Sequence, residues 1–349
     1  GHLPLGCTAT PHFMVLPRYS WAMESIRKET EVTSSSTATT IDTLRTLFVW
    51  DFDWTIVNCN SDEYIPAQFL NEDVVDAGFR ALLSSDKDWH ACVEAMIGRA
   101  ADETGAKRKD FLDAARKMPF LQNVRRVLDD IHFSSDCGQM ILSDGNTMFI
   151  QAFLEENKLV DHFTNGVVSN IGSWHDDDSN NNNDETVNLR VVHQSEKYGG
   201  HSCERCHRSP NLCKTQALQD SLGQIMSKQQ IIEKKKGTTA IRPRIVYIGD
   251  GSNDACPVLN VLGKGDIVLA RSGGKWNDSN HRSGVILDEE AVTTTTKEGG
   301  QFGILPALHS ANKDSSALVP TCQVLEWNTG IKLRDHVEKV LEDTKIDSN

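Results

Sequence analysis

The sequence predicts an α/β fold, a Rossmann-like parallel sheet sandwiched by helices and interrupted by one all-helical block, and three observations carry that expectation. Short apolar runs each end in a polar turn: Leu44 to Trp50 before Asp51-Phe52-Asp53, Met140 to Leu142 before Ser143-Asp144-Gly145-Asn146, and Ile245 to Ile248 before Gly249-Asp250-Gly251-Ser252-Asn253-Asp254. Helical periodicity fills the intervals, as a parallel sheet covered on both faces requires. Ligands bind such sheets beyond the carboxyl ends of the strands, so the three turns are expected to converge on one crevice.

Taken in order, residues 1–45 lack a signal-peptide core ahead of the Ser/Thr tract Thr33 to Thr40 and read as a poorly ordered extension. From Asp62 to about His132 the apolar positions recur every three or four residues: Ile65, Phe69 and Val74, then Trp89, Val93, Met96 and Ile97, then Val124, Val127, Leu128 and Ile131. Met148 to Asn157 reads as the helix after the second strand. Weaker strands are expected at Gly166 to Asn170 and Leu189 to His193, separated by the tract Asp176 to Glu185, whose acids and asparagines cannot join a core and mark a loop insertion over 175–186. A helix beginning near Asn211 runs toward Lys228 to Lys236, a charged helix end or loop, and a further strand is expected at Asp266 to Ala270.

Composition narrows the function. Lys and Arg number 36 against 49 Asp and Glu, a net charge of −13 that argues against general nucleic-acid binding. No apolar run approaches the roughly 20 residues that span a bilayer. Nine cysteines, with Cys203, Cys206 and Cys213 bunched, do not form the pattern of a secreted disulfide framework. A reducing, cytoplasmic setting is expected, with organellar targeting by the extension left open.

The converging turns would gather Asp51, Asp53, Asp250 and Asp254 beside Ser143 and Lys214. Four carboxylates cannot stay ionised together without cations, because like charges raise one another's pKa. Oxygen-only ligands suit a hard ion, and magnesium, usually shared between one or two carboxylates and a substrate phosphate, fits better than zinc. With the acids so neutralised, Asp51 can attack a phosphoryl group through its carboxylate, and Asp53 can protonate the leaving oxygen and then deprotonate the water that hydrolyses the aspartyl phosphate.

At these residues the chain resembles a known family. Asp51-x-Asp53-x-Thr55, Ser143, Lys214 and Gly249 to Asp254 match, in order, the four motifs of haloacid dehalogenase superfamily phosphatases. Longer strings, including Asn60-Ser61-Asp62, Ser143 to Thr147, Cys203-x-x-Cys206 leading to Asn211 to Lys214, and Tyr247 to Pro257, resemble the phosphoethanolamine/phosphocholine phosphatases, whose relatives include a pyridoxal phosphate phosphatase and plant phosphatases. The similarity spans about residues 46 to 342, including Val324 to Trp327 and the last helix. It implies Asp51 as nucleophile, Asp53 as general acid/base, Ser143 on a phosphoryl oxygen, Lys214 pairing nucleophile and phosphate, and Mg2+ held by Asp51, the Asp53 carbonyl and Asp250 with Asp254 in support. It also implies a core over 46–61 and 133–345, a helical cap over 62–132, and Asp62, Asp144 and Asn146 at substrate-recognition positions. The two acids suit a cationic head group, so phosphocholine or phosphoethanolamine is the first expected substrate, followed by pyridoxal phosphate and thiamine phosphate. Trp54 stands where related enzymes are usually polar. It either covers a quaternary ammonium by cation–π attraction or packs beneath the cap, and packing is preferred.

Other readings remain beside these. Ser143 reads as a helix N-cap, which is also where a phosphate would sit. Cys203, Cys206 and Cys213, with His201 and His207 nearby, offer a zinc or redox module, although no second Cys-x-x-Cys follows. His90, His132, His162 and His193 are scattered and read as structural. Oligomeric state has no signature in the sequence.

Overall fold

In the computed structural model, residues 44–85, 87–175, 187–192, 212–273, 303–311 and 320–346 are described, and the following concerns these alone. Their strands are β1 (Thr46–Trp50), β2 (Cys137–Asn146), β3 (Val167–Trp174), β4 (Leu189–Val192), β5 (Arg244–Gly249), β6 (Ile267–Arg271) and β7 (Gln323–Trp327). The helices are α1 (Ser61–Ala67), α2 (Glu72–Leu83), α3 (Trp89–Thr104), α4 (Arg108–Arg116), α5 (Gln122–His132), α6 (Thr147–Glu156), α7 (Lys214–Lys236), α8 (Ala255–Asn260), α9 (Ile304–Ala311) and α10 (Gly330–Ile346).

Every residue of β1 is buried, because its alternating side chains feed two cores. Phe48 and Trp50 join Ile141, Val246, Ile248 and Leu269 against α1 to α6 and α10. Leu47 and Val49 join Met140, Leu142, Ile245 and Tyr247 against α7, α8 and α9. The sheet order is β4-β3-β2-β1-β5-β6-β7, with β1 in the middle. Neighbours pair in parallel from β3 to β7, as expected.

Two sequence expectations need correction. Strand β4 pairs with β3 antiparallel, an arrangement open to an edge strand because it needs no crossover helix. Helix α6 is capped by Asn146, whose side chain accepts a hydrogen bond from the Phe149 amide, so Ser143 is not its N-cap. The stretch Lys228 to Lys236 is a helix end, as one of its two expected readings had it: it is the last part of the 23-residue helix α7, which begins at Lys214 and ends at Gly237 in the left-handed region (φ 76°), where a residue without Cβ is favoured. Strand β7 adds a largely exposed edge in which only Trp327 is buried.

Residues 61–132 are helical almost throughout, and their helices do not all pack alike. Helices α1 to α4 pack on one another, with α3 also against β4 and α4 against α6, whereas α5 lies on β2 and α10. The expected cap boundary at 132 thus takes in one helix of the layer that covers the sheet. No helix among the described residues is long and apolar enough to cross a membrane.

Candidate active site

Three chain ends bring the site together: the carboxyl end of β1, the carboxyl end of β5 and the first residue of α7. Asp51 follows β1 directly, with its amide donating to the Ile248 carbonyl at 2.9 Å, so the register of β1 on β5 sets its place. One oxygen of Asp51 accepts from the Phe52 amide at 2.7 Å and the other lies 2.9 Å from Lys214 Nζ. Lys214 is 1% exposed and also donates to Asp254 Oδ1 at 2.7 Å. An ammonium here is buried and sits at the positive end of a helix, both unfavourable. Burial lowers its pKa, yet the Asp254 and Asp51 carboxylates outweigh that and raise it, keeping Lys214 charged.

Asp254 organises the turn. Its Oδ1 accepts from Lys214 and from the Tyr247 hydroxyl at 2.7 Å, and its Oδ2 accepts from the amides of Asp250 at 3.0 Å and Gly251 at 2.8 Å. Four donors occupy the lone-pair sites of one carboxylate. Gly249 is needed beneath it, since a Cβ there would lie 2.5 Å from Asp254 Oδ2.

Asp51, Asp250 and Asp254, all buried, bring carboxylate oxygens within 4.8 Å of one another. Burial first, then Asp254 and Asp250, push the Asp51 carboxyl well up from its ordinary value, against the pull of Lys214. One buried lysine therefore leaves negative charge uncompensated, and the carboxylates of Asp51 and Asp250, beside an Asp254 saturated by its own donors, are oxygen ligands of the kind that fits a hard divalent cation. The residues fit the expected metal.

The other expected residues form two further groups. Asp53 is half-buried and turned toward the start of α1, where it accepts from the Ser61 amide at 3.0 Å and the Ser61 hydroxyl at 3.1 Å. Burial and the neighbouring Asp62 push its carboxyl up to about 7, opposed by the Ser61 bonds. Asp62 is buried and accepts from the Trp89 indole N–H at 2.7 Å; burial pushes it up to about 6 despite that bond. In the second group, Asp144 Oδ2 accepts from Asn253 Nδ2 at 2.8 Å, and the Asp144 carbonyl accepts from Asn170 Nδ2 at 2.6 Å. Asn170 also lies 3.0 Å from His90 Nε2. Ser143 is buried, with its hydroxyl accepting from the Gly145 amide at 3.1 Å. Trp54 is half-buried at φ 56°, and its carbonyl accepts from Arg271.

Sequence reasoning missed Trp89, Asn170, His90, Asn253 and Arg271 as parts of the site, and gave Tyr247 no role. Arg271 had a signal, a charge that ends the apolar run Ile267 to Ala270 as the acids end the other strands. In the cysteine cluster, Cys213 is buried and caps α7, its sulfur accepting from the Gln216 amide at 3.5 Å. Cys203, Cys206, His201, His207, the extension through residue 43 and the tract 176–186 lie outside the described residues.

Comparison with known proteins decides the family. The model of the family described as Putative Phosphatase matches residues 46–295, which include every one of the motifs above. The chain belongs to this family. This phosphatase is 32% identical to a pyridoxal phosphate phosphatase of Mus musculus over 66% of its own length and 83% of the mouse protein. It is 26% identical to a thiamine phosphate phosphatase-like protein of Arabidopsis thaliana over 72% of its own length and 97% of that protein. Among solved structures it is similar to a haloacid dehalogenase family hydrolase of Salmonella enterica, with TM-score 0.40, 16% identity, and coverage of 65% of this chain and 62% of that one. The phosphatase has an α/β fold built on a seven-stranded, mostly parallel sheet, and the grouped carboxylates of Asp51 and Asp250 lie at the carboxyl ends of its strands.

Proposed function

We propose that the phosphatase hydrolyses a small phosphomonoester through an aspartyl phosphate on Asp51, with Mg2+ held by Asp51, the backbone carbonyl of Asp53 and Asp250. The observation that carries this reading is the buried Asp51, Lys214 and Asp254 constellation, in which Lys214 bridges the two carboxylates at 2.9 and 2.7 Å. Magnesium, when bound, supplies charge neutralisation of the phosphoryl oxygens and of the acids. Asp254, with its lone pairs taken, supports the site through Lys214 and the 250–251 amides.

A carboxylate oxygen of Asp51 forms the new bond to phosphorus as the ester P–O bond breaks, and Asp53 gives its proton to the departing oxygen. Water then attacks phosphorus, its proton passes to Asp53, and the phosphorus–Asp51 bond breaks to release phosphate and restore both carboxyl groups. A carboxyl pushed up to about 7 carries the proton needed for the first step and can take one back in the second near neutral pH. Lys214 and the Ser143 hydroxyl hold phosphoryl oxygens.

The substrate reading rests on Asp62 and Trp89 on the helical side of the site and on Asp144 near the end of β2, which together offer two acids and an indole. They suit a cationic head group, with phosphocholine or phosphoethanolamine first. The second reading, pyridoxal phosphate or thiamine phosphate, is favoured by the names of the mouse and Arabidopsis relatives. Values of kcat/KM on the four compounds separate them: the first reading expects phosphocholine or phosphoethanolamine to exceed a generic aryl phosphate, and equal or lower values contradict it. Asp51→Asn is expected to abolish turnover of every substrate, and retained turnover contradicts the mechanism.

A further inference from the structure

Arg271, the last residue of β6, is 4% exposed and lies 217 residues along the chain from the turn it touches. Its Nη1 donates to the Trp54 carbonyl, its Nη2 donates to Asn58 Oδ1 at 2.5 Å, and its guanidinium carbon sits 4.9 Å from the Trp327 ring centroid. Trp327 is itself pinned, its indole N–H donating to the Leu269 carbonyl at 3.1 Å. A buried guanidinium is costly unless its fork is used, and here two arms reach one turn while an aromatic face covers the plane.

The turn it reaches is strained. Trp54 adopts φ 56°, a left-handed region that is unfavourable for a residue with a Cβ. Such conformations persist where the surroundings over-determine them, commonly at functional sites. Both backbone groups of Trp54 are engaged, its amide with the Cys59 carbonyl at 3.0 Å and its carbonyl with Arg271. Asp53 is the residue immediately before, and its carboxylate is tied to Ser61 at the far end of the same turn.

We propose that Arg271 is a positioning residue that fixes the path of residues 53–58 against the end of β6 and so sets where the Asp53 carboxyl meets the leaving oxygen. Trp54 serves through its main chain, presenting its carbonyl to the guanidinium. A lysine can make one of the two bonds but not the fork. This rests on the acid/base role proposed for Asp53.

The test compares kcat/KM, which reports the steps through cleavage of the ester, for a poor leaving group and a good one. Phosphoethanolamine needs a proton on its leaving oxygen, or pyridoxal phosphate if that is the faster substrate; p-nitrophenyl phosphate does not. Asp53→Asn is expected to lose far more on the alkyl phosphate than on the aryl one, and equal losses overturn the acid/base reading itself. Given that selectivity, Arg271→Lys is expected to lose about 10-fold or more on the alkyl phosphate and under about threefold on the aryl one, in the range that small misplacement costs. Asn58→Ala, which keeps Arg271 and removes one acceptor, should show the same pattern in smaller degree and covers the case that Arg271→Lys does not fold. Adding Arg271→Lys to Asp53→Asn should cost little more, because both act on one step. Equal losses on both substrates for Arg271→Lys and Asn58→Ala, or losses that multiply in the double variant, overturn the proposal while leaving the role of Asp53 standing.

Discussion

Gly249 shows how far the site depends on a missing atom. Its absent Cβ leaves room for Asp254, and an added methyl would meet the carboxylate carbon at 2.6 Å. Because Asp254 holds Lys214, Tyr247 and two amides, Gly249→Ala is expected to lower kcat about 10²-fold, the scale that a misplaced catalytic group costs. Steady-state kinetics beside a melting curve check it, and an unchanged kcat would remove Asp254 from its organising place. Trp89 allows a cleaner deletion. Trp89→Phe keeps the stack on Phe79, whose ring centroid lies 4.9 Å away, but loses the N–H that reaches Asp62. A buried acceptor left without its donor costs about 1 to 3 kcal/mol. If Asp62 binds substrate, KM rises several-fold while kcat holds; a fall in kcat alone would place Trp89 elsewhere in the cycle. At this scale the clustered carboxylates were legible because each stands at a strand end marked by its own neighbours. Trp89 on Asp62 and Arg271 on Trp54 were not, since they form only when segments distant in sequence pack together.

At the scale of elements, the ends of α5 and of the short 3-10 turn Val160–His162 are tied together. His162 Nε2 lies 2.7 Å from Asp129 Oδ1, and Arg125 Nε lies 3.1 Å from Asp129 Oδ2. Burial lowers the His162 pKa below 6.5, with His132 stacked at 4.3 Å and Arg125 also lowering it, while Asp129 pulls the other way. A histidine that folds neutral binds fewer protons than its unfolded counterpart, so it contributes stability above pH 6.5 that is lost as pH falls from there through the lowered folded value. The melting temperature of His162→Gln should therefore fall less steeply with acidification below pH 6.5 than that of the parent chain; identical slopes would contradict the assignment. Elements were legible where period and punctuation agree, as in β1 and α6. The antiparallel direction of β4 and the edge strand β7 had no local signature, because pairing partners decide them.

Across the whole molecule, the sheet and the helices of 61–132 share one core. Phe111 on α4 is fully buried, 4.6 Å from the Phe69 ring and 6.4 Å from Trp174 on β3, in the cluster that also holds Phe48 and Trp50. The described residues belong to one compact unit. Phe111→Ala is thus expected to lower stability by about 3 to 5 kcal/mol in a single calorimetric transition, and separate melting of the helical block would contradict a shared core. The pairing of β1 with β5, with α7 packed on the opposite face, keeps the acids of β1 and β5 and the lysine of α7 in fixed relation. Rapid quenching of the phosphatase during turnover, followed by mass spectrometry of its peptides, tests the resulting chemistry most directly. A phosphoryl group on Asp51, accumulating in Asp53→Asn and absent from Asp51→Asn, is the expected result. Turnover with that peptide unmodified, or with the phosphoryl group on another residue, would contradict it.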